Sequence, residues 1–208
     1  LLSARGYLAE RDRNWPAAEA DYRAALTLAH AEHNVEWESG ALNDLAGVLM
    51  EVERFDEAIA LFQRALELPN APIFQRMRGT NNLGVIAYRR GYVVGFKQRI
   101  AQAHELDPES AYPPMNLALI QLLEGKAEGA QEAYRKALPQ MTDADFLRRA
   151  TLDLQEAQSR FHLNPADVAA TAALITARIC TCATRRARAA SSGATTPARA
   201  RPWRRWRA

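Results

Sequence analysis

The stretch Asp56-Glu-Ala-Ile-Ala-Leu-Phe-Gln-Arg-Ala-Leu-Glu-Leu68 decides the fold class. Ala58, Leu61, Phe62, Ala65, Leu66 and Leu68 fall on one side of it at the 3.6-residue period of an amphipathic helix. Leu42, Leu45, Ala46 and Leu49 repeat the pattern in the segment before, so the two segments read as a helix-turn-helix hairpin. One hairpin cannot bury such a face alone, but stacked neighbours can.

Working outward, the same hairpin recurs. Small residues stand at Ala25, Ala65, Ala103 and Ala137, with spacings of 40, 38 and 34. Three residues before each comes Tyr22, Phe62, Ile100 or Tyr134, and seven before each comes Ala18, Ala58, Phe96 or Ala130. Twelve further upstream lie Gly6, Ala46, Gly84 and Ala118, preceded by Arg5, Leu45, Leu83 and Leu117. The register inside each unit is constant, whereas the joint from each final Ala to the next small residue shortens from 21 to 19 to 15 residues. Each unit is therefore expected to be a rigid module, with the joints absorbing the differences in length.

Helix punctuation agrees with this division. Asn14 with Pro16 starts a helix, Pro69 and Pro72 bracket a joint, Gly91 ends a first helix, Asp107-Pro108 ends a second, and Pro139 closes the fourth hairpin. Thr142 with Asp145 has the form of a capping box for a helix over roughly residues 143–161, and Asn164-Pro165 starts another.

Asn81-Asn-Leu-Gly-Val-Ile-Ala-Tyr88 and Phe55 to Leu68 resemble the two halves of a tetratricopeptide repeat, and Leu106-Asp107-Pro108 matches the usual repeat ending. The long spacings are similar to those of kinesin-light-chain-like arrays and bacterial regulators. The resemblance implies an all-α fold, a right-handed α-solenoid of stacked antiparallel helix hairpins. Four hairpins are expected at about 1–34, 35–71, 72–109 and 110–140, C-terminal capping helices over 141–177, and a disordered basic tail over 178–208. Arg5 where Leu is usual, Phe96 where Ala is usual, and Gln121 at an apolar position depart from the repeat, and Phe96 makes the third hairpin the least regular.

In this family the first helix of each hairpin lines a groove that takes peptides. Carried across, the groove positions are Asn43, Arg78, Asn81, Asn82, Tyr88, Arg89, Tyr112 and Asn116, with Tyr7, Glu10, Arg11, Met50 and Glu51 beside them. Arg78, Asn82 and Arg89 would set two cations and an amide on one face, suited to an acidic or C-terminal peptide segment; the competing reading is an ordinary solvated face. The clamp that some members use for chaperone C-termini needs a Lys and Asn pair where this chain has Ser3 and Tyr7, which disfavours that role. Met115, Leu119 and Leu122 are expected to pack against a neighbouring helix rather than serve as an apolar anchor.

The composition bounds the remainder. With 208 residues, 48% apolar and 25% charged, the chain has the make-up of a folded domain. Its net charge of +3 hides an asymmetry. All 24 acidic residues lie at or before Asp167 with 18 of the 27 Lys and Arg, so residues 1–167 carry −6 and residues 168–208 carry +9. The tail, ending Arg201-Pro-Trp-Arg-Arg-Trp-Arg-Ala208, has three readings. It is a basic arm for nucleic acid or anionic membrane using Trp203 and Trp206, a solvated disordered tail, or an out-of-frame translation of GC-rich coding DNA.

Cys180 and Cys182 are poorly spaced for a disulfide or zinc site, which points to a reduced, cytoplasmic setting. The apolar run Val168 to Ala177 is far below the ~20 residues of a membrane span. The chain begins at Leu1 without an initiator Met, which suits a fragment of a larger protein. His30, His33, His104 and His162 show no metal-ligand pattern, and His104 aligns with Leu26, Leu66 and Leu138, which implies partial burial. Phosphate loops and nucleophile elbows are absent. The chain is expected to be no enzyme and to need no cofactor or metal. Its expected function is a protein-interaction scaffold binding a peptide or protein segment. The alternatives are a sensor or regulatory module of a larger bacterial signalling protein and, third, nucleic-acid binding through the tail; pairing with a second copy stays open.

Overall fold

The computed structural model describes residues 1–141 and 144–191. Among these the chain forms ten α-helices and no strand. They are α1 (Leu2–Arg11), α2 (Trp15–Ala31), α3 (Val35–Glu51), α4 (Phe55–Glu67), α5 (Ile73–Arg89), α6 (Val93–Leu106), α7 (Tyr112–Leu123), α8 (Ala127–Ala137), α9 (Ala144–Phe161) and α10 (Pro165–Ser191). A single 3-10 turn, Leu138–Gln140, follows α8. The chain divides into two compact units, Leu1–Ile120 and Gln121–Ala208.

In the first unit α1 packs on α2, α3 on α4 and α5 on α6, and between hairpins α2 packs on α3 and α4 on α5. The repeated positions of the sequence make the contacts. Ala18, Tyr22, Leu45, Ala46, Leu49, Ala58, Phe62, Leu83 and Ile86 form one buried cluster running through the first three hairpins. The small residues set how closely the helices approach: a methyl added to Gly6 would lie 2.8 Å from Cε1 of Tyr22, and one added to Gly84 would lie 3.0 Å from Cδ1 of Ile100. Phe96 does not wedge the third hairpin open. It is 1% exposed and its ring meets that of Tyr88 at 5.1 Å and 41°, a tilted aromatic pair that fills the hairpin interior. Arg5, the other outlier of this unit, faces outward and pairs with Asp21 at 3.0 Å.

The turn inside each hairpin is the same device four times. Arg13, Glu53, Gly91 and Gly125 all take positive φ, between 57° and 86°, and they are spaced as the repeats are. In each, the next residue's N–H reaches back five positions: Asn14 to the Ala9 carbonyl at 2.8 Å, Arg54 to Leu49 at 2.9 Å, Tyr92 to Ala87 at 2.8 Å, and Lys126 to Gln121 at 2.9 Å. This is the Schellman ending of an α-helix. On the far side Asn14 and Asn34 cap α2 and α3, their side chains accepting from the Ala17 and Trp37 N–H groups at 3.3 and 3.0 Å.

The variable joints are taken up largely by helix. α2 runs six residues past Ala25, while α4 stops two past Ala65 and α6 three past Ala103. α3 and α5 each start eleven residues before their small residue, against six for α7. The longer spacings thus add a first turn to α3 and α5. Those added turns are cross-linked. Glu38, 6% exposed, accepts from Arg64 of α4 at 2.6 Å and lies 3.2 Å from His30 Nδ1 of α2, and Gln75 receives Asn43.

In the second unit Ala130, Tyr134 and Ala137 of α8 repeat the burial pattern of α4, and Leu147, Leu154, Ala157, Val168 and Ile175 form the buried contacts of α9 and α10. Thr142 lies outside the described residues, as does the Asp145 side chain, so the expected capping box does too. The change of composition at Arg178 does not end α10, which continues to Ser191. Ala and Arg are among the strongest helix formers, so an acid-free Ala/Arg run extends a helix already started. Arg178 is itself a tie, donating to the Met141 carbonyl at 3.0 and 2.9 Å and to the Pro139 carbonyl at 2.8 Å. Residues 192–208, with Trp203 and Trp206, lie outside the described residues.

Candidate binding face of the first helices

Counting from the small residue of each first helix puts like positions side by side. Asn43 of α3 and Asn81 of α5 stand three before it, Asp44, Asn82 and Asn116 two before, and Glu51 and Arg89 five after. The fold brings these columns together along α3, α5 and α7, but most of the expected ligand-binding groups are already engaged.

Arg78 bonds Asp44 across α5 and α3. Arg89 is 8% exposed at its side chain, donates to the Met50 carbonyl at 2.8 Å and pairs with Glu51 at 3.1 Å. The two arginines therefore tie neighbouring first helices together. Burial acts against the Arg78 charge, but the Asp44 carboxylate, with Glu10 behind it, holds its pKa above the ordinary value. An acidic peptide would have to displace Asp44 and Glu51 to use either cation.

The amides behave in the same way. Asn43 is fully buried, its Nδ2 donating to the Gln75 carbonyl at 3.1 Å and to Gln75 Oε1 at 3.0 Å. Its Oδ1 is buried without a hydrogen-bond donor among the described residues, 3.0 Å from where a methyl on Gly79 would sit. Asn116 donates to Asn81 Oδ1 at 2.9 Å, and Asn81 donates to Asn82 Oδ1 at 3.4 Å. Tyr88 is 1% exposed and committed to Phe96, so it offers no surface. Tyr112 and Asn82 are half-buried. Met115, Leu119 and Leu122 are buried, as the packing expectation had it.

Two features of this face were not read from the sequence. Tyr22 of α2 donates to Glu10 Oε2 of α1 at 2.9 Å. Burial, and after it the Asp44 carboxylate, raises the Glu10 pKa from 4.5 to about 7, against the lowering by Tyr22 and Arg78. Burial likewise pushes the Tyr22 hydroxyl far above its usual range, Asp44 and Glu10 adding to the effect. The second feature is Gly47, in the middle of α3 between Asp44 and Glu51, where an added methyl would meet nothing within 4 Å. A mid-helix glycine costs about 1 kcal/mol relative to alanine, and here no neighbouring helix requires it.

The family assignment rests on the hairpin at the centre of this face. Residues 39–72, spanning α3 and α4, match the tetratricopeptide repeat model. That hairpin is similar to one tetratricopeptide repeat. The matched window opens at Ser39, so the first turn of α3, Val35 to Glu38, is added in front of the repeat. The structure is similar to the crystal structure of BtubC (BKLC) from P. vanneervenii. The likeness has a TM-score of 0.54 and 19% sequence identity, covering 92% of this chain and 80% of that one. That neighbour is kinesin-light-chain-like, in line with the long-spaced kind of tetratricopeptide repeat. No curated protein matches the sequence. The likeness establishes an all-α tetratricopeptide-type fold of packed helix pairs. Among the described residues no group of His, Cys, Asp or Glu could hold a metal ion, and no helix is long and apolar enough to cross a membrane.

Proposed function

We propose that the chain is a protein-interaction module that binds an extended segment of a protein partner across α3 and α5, over Gly47 and Asn82. The observation that carries this reading is Gly47, whose open Cβ position leaves room for a partner backbone at a place where helix stability alone favours alanine. Asn82 stands on α5 between Arg78 and Arg89, which bond Asp44 and Glu51 on either side of Gly47. Its Oδ1 accepts from Asn81 while its Nδ2 has no acceptor among the described residues, so it is free to bond a partner carbonyl. The tetratricopeptide match supports protein binding as the general role. The arginines act in this reading as spacers between first helices, and selectivity comes from shape and backbone bonding more than from charge.

The test uses peptides selected from a displayed random library against the full chain, measured by calorimetry on the parent, Gly47→Leu and Asn82→Ala. Both variants are expected to fold, Gly47→Leu with a raised melting temperature because leucine is the better helix former. Each is expected to bind about 10-fold or more weakly, the loss of a well-placed contact of ~1.4 kcal/mol. Selected peptides that bind both variants as tightly as the parent would remove this face from consideration.

A further inference from the structure

Elsewhere in the first unit, α4, α5 and α6 line an open cleft of about 350 Å³. Ile59 of α4 and Leu83, Ile86 and Ala87 of α5 make it apolar inside, and Gly95 of α6 leaves it open. Gln63, Arg90, Gln98 and Arg99 stand at its edge. A large apolar side chain of the lining, Tyr92, is 66% exposed.

The charges around this cleft are unbalanced. No acidic side chain lines it. Arg99, whose Cβ lies 3.1 Å from where a methyl on Gly84 would sit, has no carboxylate partner among the described residues. Arg90 lies over the Phe55 ring at 5.5 Å and pairs with Asp56 at 2.7 Å, but the Asp56 side chain is 91% exposed, and a pair so open to water holds weakly. The Gln63 and Gln98 amides have no hydrogen-bond partner among the described residues. The lining is an apolar floor with unused donors at its edge, the opposite balance from the first-helix face, where the cations are spent on carboxylates.

We propose that this cleft is a second docking site, for a partner peptide segment that inserts one bulky apolar side chain and places an adjacent carboxylate on Arg99. The volume lies near the lower end for ligand sites, roughly 300–1,000 Å³, which suits one large side chain better than a cofactor. Arg99, exposed and without a carboxylate partner among the described residues, is able to take a carboxylate in bidentate fashion. Arg90 is a second cation, released if the incoming acid competes with Asp56. Tyr92 closes over the inserted side chain at the edge. The site is separate from the face over Gly47, so the two readings fail independently.

The experiment titrates the full, isotope-labelled chain by amide NMR with three synthetic peptides. The first is acetyl-Gly-Leu-Phe-Asp-Glu-Gly-amide, the second has Lys-Lys in place of Asp-Glu, and the third has Ser-Ser in place of Leu-Phe. Saturable shifts at Ala87, Gly95 and Gln98 are expected with the first, and at least ~10-fold weaker binding with the other two, the loss of a charge-assisted hydrogen bond or of the apolar anchor. Gly95→Leu fills the cleft and is expected to abolish the response while leaving the helical circular dichroism signal unchanged; Arg99→Ala is expected to weaken binding and flatten its salt dependence. Equal response to the acidic and basic peptides overturns the proposal, as do shifts confined to the Gly47 face or no saturation in the millimolar range.

Discussion

At the scale of single residues, Glu10 has the most to report. Its carboxyl accepts from Tyr22 at 2.9 Å inside a half-buried pocket, where burial and the Asp44 carboxylate lift its pKa from 4.5 to about 7. Between those values the folded chain holds a proton that the unfolded chain has released, so stability falls as pH rises from about 4.5 to about 7. Glu19 and Glu57, whose carboxylates are held below the usual range although burial opposes it for Glu19, act in the opposite sense. Arg54 bonds both of them, and their contribution is present above the ordinary carboxylate pKa and is lost as pH falls through the lowered value. Glu10→Gln keeps an acceptor for Tyr22 and removes the titration. Melting temperatures recorded from pH 5 to pH 8 are expected to decline for the parent more than for the variant; parallel curves would show that Glu10 ionises normally. The sequence offers a weak signal for this pair, since Glu10 and Tyr22 face each other only if the first hairpin closes in register.

At the scale of elements, the turn inside each hairpin makes the sharpest claim. Arg13, Glu53, Gly91 and Gly125 share one left-handed position, and glycine alone occupies it without steric cost. The first two hairpins carry a strained residue there and the third and fourth do not. Arg13→Gly and Glu53→Gly are expected to stabilise the chain by roughly 0.5–1 kcal/mol each, and Gly91→Ala and Gly125→Ala to destabilise it by roughly 1 kcal/mol. Chemical denaturation of the four single variants checks the signs; destabilisation by Arg13→Gly would mean that its side chain contributes more than its backbone costs. Gly91 is readable as a helix end from sequence, but the equivalence of Arg13 and Glu53 to it emerges only once the repeat register is applied to the turns. The added first turns of α3 and α5 are a second element-level result. Spacings of 40 and 38 look like longer connections, yet the helix continues through them because Glu38 and Gln75 gain partners across the hairpins.

For the whole molecule, each hairpin of the first unit packs mainly on its sequence neighbours, so stability is set by nearest-neighbour interfaces and the ends are the weakest part. The buried cluster is centred on α3 and α4, which have a hairpin on either side, whereas α1 is held by one partner. Hydrogen exchange followed by mass spectrometry is expected to show α3 and α4 exchanging last and α1 well before them. Equal protection of α1 and α3 would point to a cooperative single core.

The sequence by itself determined the helical class, the hairpin register, the identity of the core positions and the end of α9, because helix periodicity and small-residue spacing are local properties. Tertiary structure alone decided which polar groups of the first-helix face are free. Arg78 and Arg89 look like available cations in sequence, and they are neutralised by Asp44 and Glu51, 34 and 38 residues away in the chain. A side chain's partner depends on which turn of the neighbouring helix lies opposite it. That is fixed by how long each joint's helices grow, and no pattern within one repeat encodes it. The same packing placed Tyr88 inside against Phe96, buried Asn43 under Gln75, and left Gly47 and Arg99 with open space or an unspent charge.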